Sequence, residues 1–279
     1  MSTVRAHSPS PIYVRGRRRV FFSVRGIWDY VRQVTAIFLF IGSGIVVCPA
    51  CILLRRLAGN SIRPSTGQHL IHWLFRNWLK ISTALGAFDI QIDDVEKLRS
   101  LRGTIIAPNH PSELDAIYLL SFVPNAICVM RASLMKRSYL GGAARMAGYI
   151  TNDQGPTLVR EGIEKIREGE NLLIFPEGTR TRAQAVNPFK HGFALIATKT
   201  GAPIQTVLIE QEGRYLSKEF PLFSPARLPI TVRITLGEVF TPQEGETAPA
   251  LAQRLEDYFR SNLEYTGESI LRRKKDVSL

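Results

Sequence analysis

Acidic residues are scarce in this 279-residue chain: 24 Asp and Glu stand against 36 Lys and Arg, a formal net charge of +12. Such an imbalance favours an anionic partner, nucleic acid or an acidic membrane surface, and does not choose between them. Cysteine is scarce as well, and three thiols imply no disulfide framework. Cys48-Pro49-Ala50-Cys51 has the spacing of a thiol–disulfide motif, but both sulfurs sit in an apolar run where packing is their expected task. The five histidines are scattered without ligand spacing, so no metal is expected. No Gly-x-Ser-x-Gly elbow is present to mark a serine nucleophile. No zinc finger, RNA-binding aromatic motif or helix-turn-helix is recognisable, so no nucleic-acid partner is expected. The composition, 45% hydrophobic and 22% charged, is that of a folded protein and sets disorder aside.

Charge is also missing from one long stretch. Val34 to Leu54 reads VTAIFLFIGSGIVVCPACILL, and about 20 apolar residues suffice to cross the hydrocarbon core of a bilayer. A cleavable signal peptide is excluded, because the run starts too far in and Arg55-Arg56 stands where a small-residue cleavage site would be. Gly42, Gly44 and Pro49 lie inside the run, and arginines crowd both flanks (Arg17, Arg18, Arg19, Arg25 and Arg32; Arg55, Arg56 and Arg63). Basic residues tend to remain on the cytoplasmic side. Both flanks on one side imply a broken helix or hairpin dipping into one leaflet. A simple span and a buried soluble helix are the alternatives.

Residues 1–22 form a basic arm, expected to be mobile and drawn to anionic lipid headgroups at about 1 kcal/mol per basic residue near the surface. Gly67–Ala87 has Leu70, Trp73, Leu74, Trp78 and Ile81 at helical spacing with Arg76 and Lys80 between them, which suits a membrane interface and a core-facing helix equally. Residues 23–86 are therefore read as a membrane-associated helical segment, and 266–279 as a basic tail. From 87 to 265 the pattern alternates. Phe88–Asp93, Thr104–Pro108, Ala126–Arg131, Leu172–Phe175, Ile204–Ile209 and Ile230–Leu236 read as strands. Leu114–Ser121, Lys136–Ala147, Leu158–Arg167, Gly192–Thr200 and Ala248–Asn262 read as helices. Strands alternating with helices predict an α/β domain with a parallel or mixed sheet.

Two blocks carry chemistry. Asn109-His110-Pro111-Ser112-Glu113-Leu114-Asp115 follows the strand-like GTIIAP. Pro111 suits the first position of a helix, which puts His110 at the cap, where the helix dipole disfavours imidazolium. Asp115 would then orient the ring of His110 as a general base. Alone, a His and an Asp at this spacing are more often a structural pair. Asn171 to Arg180 reads NLLIFPEGTR, a buried-type strand ending in a polar turn. Arg180 offers a planar fork matched to phosphate oxygens, and Gly178 permits a tight backbone.

Together the blocks resemble the glycerolipid acyltransferase family, the bacterial 1-acylglycerol-3-phosphate acyltransferases above all. His110 to Asp115 matches its H-x4-D block and Phe175 to Arg180 its F-P-E-G-T-R block. The resemblance, spanning roughly residues 88 to 215, implies a mixed sheet flanked by helices behind an N-terminal membrane-embedded or interfacial motif. It implies a membrane-bound enzyme that moves a fatty acyl group from acyl-CoA or acyl carrier protein, co-substrates rather than cofactors, to the hydroxyl of a lysophospholipid. The first expectation for the acceptor is 1-acyl-glycerol-3-phosphate, giving phosphatidic acid in phospholipid biosynthesis at the cytoplasmic face of a bacterial inner membrane. Carried over, His110 is the base, Asp115 its partner, and Glu177, Gly178, Thr179 and Arg180 bind the acceptor, with Arg131 as a further phosphate contact. Two blocks depart from the pattern. Gln154 replaces an arginine in Gly148–Gln154, and Thr206 a proline in Ala202–Val207. They open the alternatives of another lysolipid acceptor, such as a lyso-ornithine lipid, or a non-catalytic lipid-binding protein of the same fold.

Overall fold

The computed structural model describes residues 23–137, 140–152, 155–182, 184–213, 215–218, 220, 222–264 and 272–273. The basic arm, the Asp153-Gln154 pair and most of the C-terminal tail lie outside the described residues. In chain order the elements are α1 (Val24–Ala58), α2 (Pro64–Ala84), β1 (Phe88–Ile92), α3 (Val95–Ser100), β2 (Ile105–Pro108), α4 (Asp115–Leu120) and β3 (Ala126–Met130). There follow α5 (Ala132–Met135), α6 (Gly141–Met146), β4 (Ile150–Thr151), α7 (Gly155–Arg167), β5 (Asn171–Leu173), α8 (Gly192–Thr200), β6 (Ile204–Gln211), β7 (Ile230–Phe240) and α9 (Ala248–Asn262). A short pair, β8 (Leu263–Glu264) and β9 (Arg272–Arg273), is separate.

The seven-stranded sheet has the order β1-β7-β6-β2-β5-β3-β4. Strands β6, β2, β5, β3 and β4 are mutually parallel, while β7 runs antiparallel to β6 and carries β1 parallel to itself. The expected mixed α/β sheet is therefore present. Strands β2 and β3 are apolar throughout because both faces are covered. Ile105, Ala107, Ile127, Leu172 and Ile204 point into one core with Phe193, Leu255 and Phe259. Ile106, Cys128, Leu173 and Val207 point the other way, against Trp78, Tyr118 and Leu119. That alternation is the period of two of a strand.

The expected strands and helices recur with their ends shifted by a few residues, whereas α3, β4, β8 and β9 were not expected. The two-residue strand β4 was too short to carry a pattern. The single helix expected over 136–147 is replaced by α5 and α6 around a turn.

The apolar N-terminal segment is a larger correction. The expected break or hairpin does not occur: α1 is one helix of 35 residues, passing through Gly42, Gly44 and Pro49. By length and composition it is sufficient to cross a membrane. The helix survives its proline because both halves are fastened to the domain. Gln33 donates to the Ser224 carbonyl at 2.8 Å and accepts from the Ala226 amide at 3.0 Å, and the Trp78 indole donates to the Ala36 carbonyl at 2.8 Å. Beyond the proline, Cys48 and Cys51 are buried beside α6, and the Arg55 guanidinium donates to the Arg145 carbonyl. The thiols are packing residues, free and buried.

Its opposite face stays bare. Val24, Trp28, Val31, Phe38, Ile45, Val46, Leu53 and Leu57 are exposed at helical spacing, joined by Trp73 and Ile81 of α2. Helix α2 takes the core-facing role, with Ile71, Trp78 and Leu79 buried.

Close approach of α1 to α6 depends on Gly142, where a Cβ would run into the Cys48 carbonyl. Gly142→Ala should therefore push α1 off the domain and cost about 1–3 kcal/mol, read as a lower melting temperature and faster proteolysis within α1. An unchanged melting temperature and cleavage pattern would contradict this packing.

Candidate active site

Four parallel neighbours, β6, β2, β5 and β3, deliver their carboxyl ends to one edge of the sheet, where open α/β sheets place their sites. Register sets the levels. Ile106 pairs with Leu173, so four residues on, His110 stands level with Glu177. Cys128 also pairs with Leu173, which brings Arg131 alongside the same turn.

His110 Nδ1 donates to Asp115 Oδ2 at 2.8 Å, and the ring stacks on Phe175 with centroids 4.0 Å apart and planes tilted by 27°. With Nδ1 committed, Nε2 is the ring nitrogen left to take a proton. The cap geometry read from Pro111 is corrected here: α4 starts at Asp115, five residues after His110. The reason is that the intervening amides find other acceptors. The Ser112 amide donates to Asp115 Oδ2 at 2.8 Å, the Glu113 amide to the Leu216 carbonyl at 3.1 Å, and the Leu114 amide to Ser112 Oγ at 3.4 Å. Asp115 is thus held by two donors, and Leu114 rather than His110 caps α4. Asn109 is buried beneath, bonded through both amide ends to the Ile209 backbone at 2.9 and 2.7 Å.

Glu177 is 2% exposed and faces inward. Oε1 accepts from the His110 amide at 2.9 Å and the Thr181 hydroxyl at 2.7 Å, and Oε2 from the Asn187 amide at 2.8 Å. It was expected to touch a ligand, whereas these three protein donors make it the clamp of its turn. The Thr181 amide returns to the His110 carbonyl at 2.7 Å. Gly178 takes φ 65°, a left-handed value that a side chain would strain. Thr179 Oγ1 accepts from Arg131 Nη2 at 2.8 Å, so the turn and the end of β3 meet. Arg180 Nη1 donates to the carbonyls of Leu216 and Ser217 at 2.9 and 3.1 Å and lies 3.6 Å from Glu113 Oε2. The segment from 212 to 229 after β6 thereby becomes a wall of the site. Neither it nor the Phe175 stack was visible in the sequence, because nothing local marks a backbone carbonyl or a ring as a partner.

Beside the Glu113–Ala116 stretch lies an elongated apolar cavity of about 360 Å³, lined among others by Phe40, Phe75, Trp78, Ile117 and Leu216. That volume is within the range of about 300–1,000 Å³ common for small-molecule sites. Cys128 also lines it, with its thiol pushed up to about 12 by burial, so the sulfur is a neutral wall atom.

A His–Asp pair and an arginine-bearing turn thus share the carboxyl edge of the parallel strands. Residues 89–210 match the family model described as Acyltransferase. It is 34% identical over 146 residues to a 1-acyl-sn-glycerol-3-phosphate acyltransferase of Helicobacter pylori, covering 50% of this chain and 60% of that protein. The protein of the same name from Pseudomonas aeruginosa is 26% identical, over 53% of this chain and 58% of its own length. The chloroplastic relative BAT2 of Brassica napus is 26% identical, over 52% and 44%. The chain thus spans about half of the length of the curated relatives it matches. The crystal structure of the 1-acyl-sn-glycerophosphate (LPA) acyltransferase PlsC from Thermotoga maritima shares the fold. Its TM-score is 0.67 at 22% identity, over 85% of this chain and 95% of that one.

Burial raises the pKa of Asp115, against the bond and charge of His110, and raises that of Glu177, against its three donors. A raised value means the folded chain binds the proton more tightly than the unfolded one. The stability from these groups is therefore full at low pH and declines as pH climbs from their ordinary values, 3.8 and 4.5, through the folded ones. Asp115→Asn keeps an acceptor for the Ser112 amide and discards the buried charge. Its melting temperature relative to the parent should rise from acid to neutral pH; a falling difference would contradict the sign. Glu177→Ala strands three donors and should cost roughly 3 kcal/mol, measurable by denaturant unfolding, and a loss well under 1 kcal/mol would remove it as the clamp.

Proposed function

We propose that this chain is a membrane-associated O-acyltransferase that moves a fatty acyl group from acyl-CoA or acyl carrier protein to the free hydroxyl of a lysophospholipid, with 1-acyl-glycerol-3-phosphate as acceptor and phosphatidic acid as product. One observation carries the reading. The His110–Asp115 pair is bonded to the Glu177–Thr181 turn through two contacts, at 2.9 and 2.7 Å, beside an apolar cavity.

Nε2 of His110 takes the proton of the acceptor hydroxyl as that oxygen attacks the thioester carbonyl. Asp115, bonded to Nδ1, holds the ring and stabilises the imidazolium, as in other His–Asp pairs. The tetrahedral oxyanion collapses by breaking the carbon–sulfur bond, and the departing thiolate recovers the proton from His110. Donor and acceptor react directly, and no acyl-enzyme forms. The acyl chain occupies the apolar cavity, while Arg131 and Arg180 face the phosphate, for which a guanidinium offers fork geometry.

The exposed stripe of α1 and α2 supports a bilayer contact along the helix rather than a perpendicular crossing. A helix of 35 residues is about 52 Å long at 1.5 Å per residue, well beyond a hydrocarbon core of about 30 Å. Its other face is pinned to the domain along its length. Arg55, Arg56 and Arg63 then meet anionic headgroups, which favours the cytoplasmic face. A two-chain product leaves from such a position directly into lipid.

Membranes carrying the chain should acylate lysophosphatidate, among a panel that includes a lyso-ornithine lipid, when given acyl-CoA or acyl carrier protein, with products read by mass spectrometry. His110→Ala should lower turnover by about a thousandfold or more and leave membrane association unchanged. Failure of every lysolipid to gain an acyl chain with either donor would overturn the assignment.

A further inference from the structure

The segment from 212 to 229 does more than wall the site. Arg180 Nη1 clasps two consecutive carbonyls on it, at Leu216 and Ser217, and the next residue is Lys218. Tyr215, Leu216 and Ser217 are buried beneath this clasp, whereas Lys218 is exposed. Ser112 Oγ donates to the Tyr215 carbonyl at 3.3 Å and the Glu113 amide to that of Leu216, so the histidine turn fixes the same stretch. Lys218 is thereby carried on a backbone anchored at the rim of the site, and a long side chain there is held by its base rather than by a partner.

Three more cations converge on that rim. Arg131 reaches it from β3 through Thr179, Arg180 lies beneath the clasp, and Arg182 is exposed two residues further along the turn. Among the described residues, Arg131, Arg182 and Lys218 have no carboxylate within ion-pair distance, and Arg180 has one partner, Glu113 at 3.6 Å. The Lys218 ammonium is pushed below its ordinary range by loss of hydration and then by Arg182, Arg131 and Arg180. Four cations with one counter-charge among the described residues, Glu113, are costly to hold together unless an anion joins them. A monoester phosphate, carrying close to two negative charges at neutral pH, answers four cations better than a phosphodiester with one.

We infer that Lys218 is a fourth cation of the acceptor-phosphate site, positioned by the Arg180 clasp, and that with Arg182 it selects a phosphate monoester over a phosphodiester or zwitterionic headgroup. The inference rests on the acyl-transfer reading for the identity of the acceptor, and its test has an arm that needs no turnover. The same chemistry exists in the 3′-phosphate of coenzyme A, so donor and acceptor are varied separately.

Lys218→Gln is an exposed change and should leave the melting temperature in place. In the full-length, detergent-solubilised chain it should weaken calorimetric binding of lysophosphatidate about tenfold and leave lysophosphatidylcholine binding as it was. In turnover it should raise the KM for lysophosphatidate by the same factor with kcat within about twofold, and Lys218→Arg should restore the parent value. The KM for acyl-CoA should stay constant. Equal losses for both lysolipids, or a rise confined to the KM for acyl-CoA, would overturn the inference. A parent chain that binds lysophosphatidate through Lys218 and acylates nothing would leave the inference standing and remove the acyltransferase reading.

Discussion

The carboxylate of Glu177 lies where two neighbouring parallel strands leave the sheet, shielded from water. Buried charge is tolerated only when donors surround it, and here they come from three places: the His110 amide after β2, the Thr181 hydroxyl, and the Asn187 amide before α8. These bonds tie the two strand exits to each other, and the Thr181 amide closes the loop back onto the His110 carbonyl. Position of the imidazole therefore depends on a residue that does not touch its ring. The stacking of Phe175 and the bond to Asp115 then fix the plane and the free nitrogen.

The same economy appears at Arg180. Its guanidinium is shared between the site and the carbonyls of the 212–229 segment, so one residue both presents charge and shapes the wall. That segment is in turn bonded to Gln33 of α1 through both ends of a side-chain amide. Hydrogen bonds thus tie Ser224 and Ala226 to the apolar helix, and Tyr215 and Leu216 to the His–Asp turn. Under the proposed function, the lipid-facing element and the chemistry are mechanically one body.

Much of this was legible beforehand. The alternation of strands and helices along the chain and the pairing of His110 with Asp115 follow from local pattern and from two short blocks. What misled was also local. Pro111 is a good first helical residue, but the amides of Ser112, Glu113 and Leu114 found partners in Asp115, Leu216 and Ser112 Oγ, so the helix began later. Gly42, Gly44 and Pro49 are good helix breakers, but packing on α6 and α2 outweighed their cost. Glu177, read as a ligand contact because it sits at a strand end, turned inward, since neighbouring strands supplied amides that nothing else would satisfy.

Determined by the sequence itself are the α/β pattern, the apolar helix, the basic excess and the two polar blocks at 109–115 and 175–180, because periodicity, charge and side-chain chemistry are properties of short stretches. Tertiary structure alone decided which of them meet. The parallel register that sets residue 110 level with 177, the clasp that brings Lys218 to the rim and the helix lying flat along the domain all join residues far apart in the chain. Such contacts depend on how strands align and which backbone groups remain to be paired, and no local signal records either.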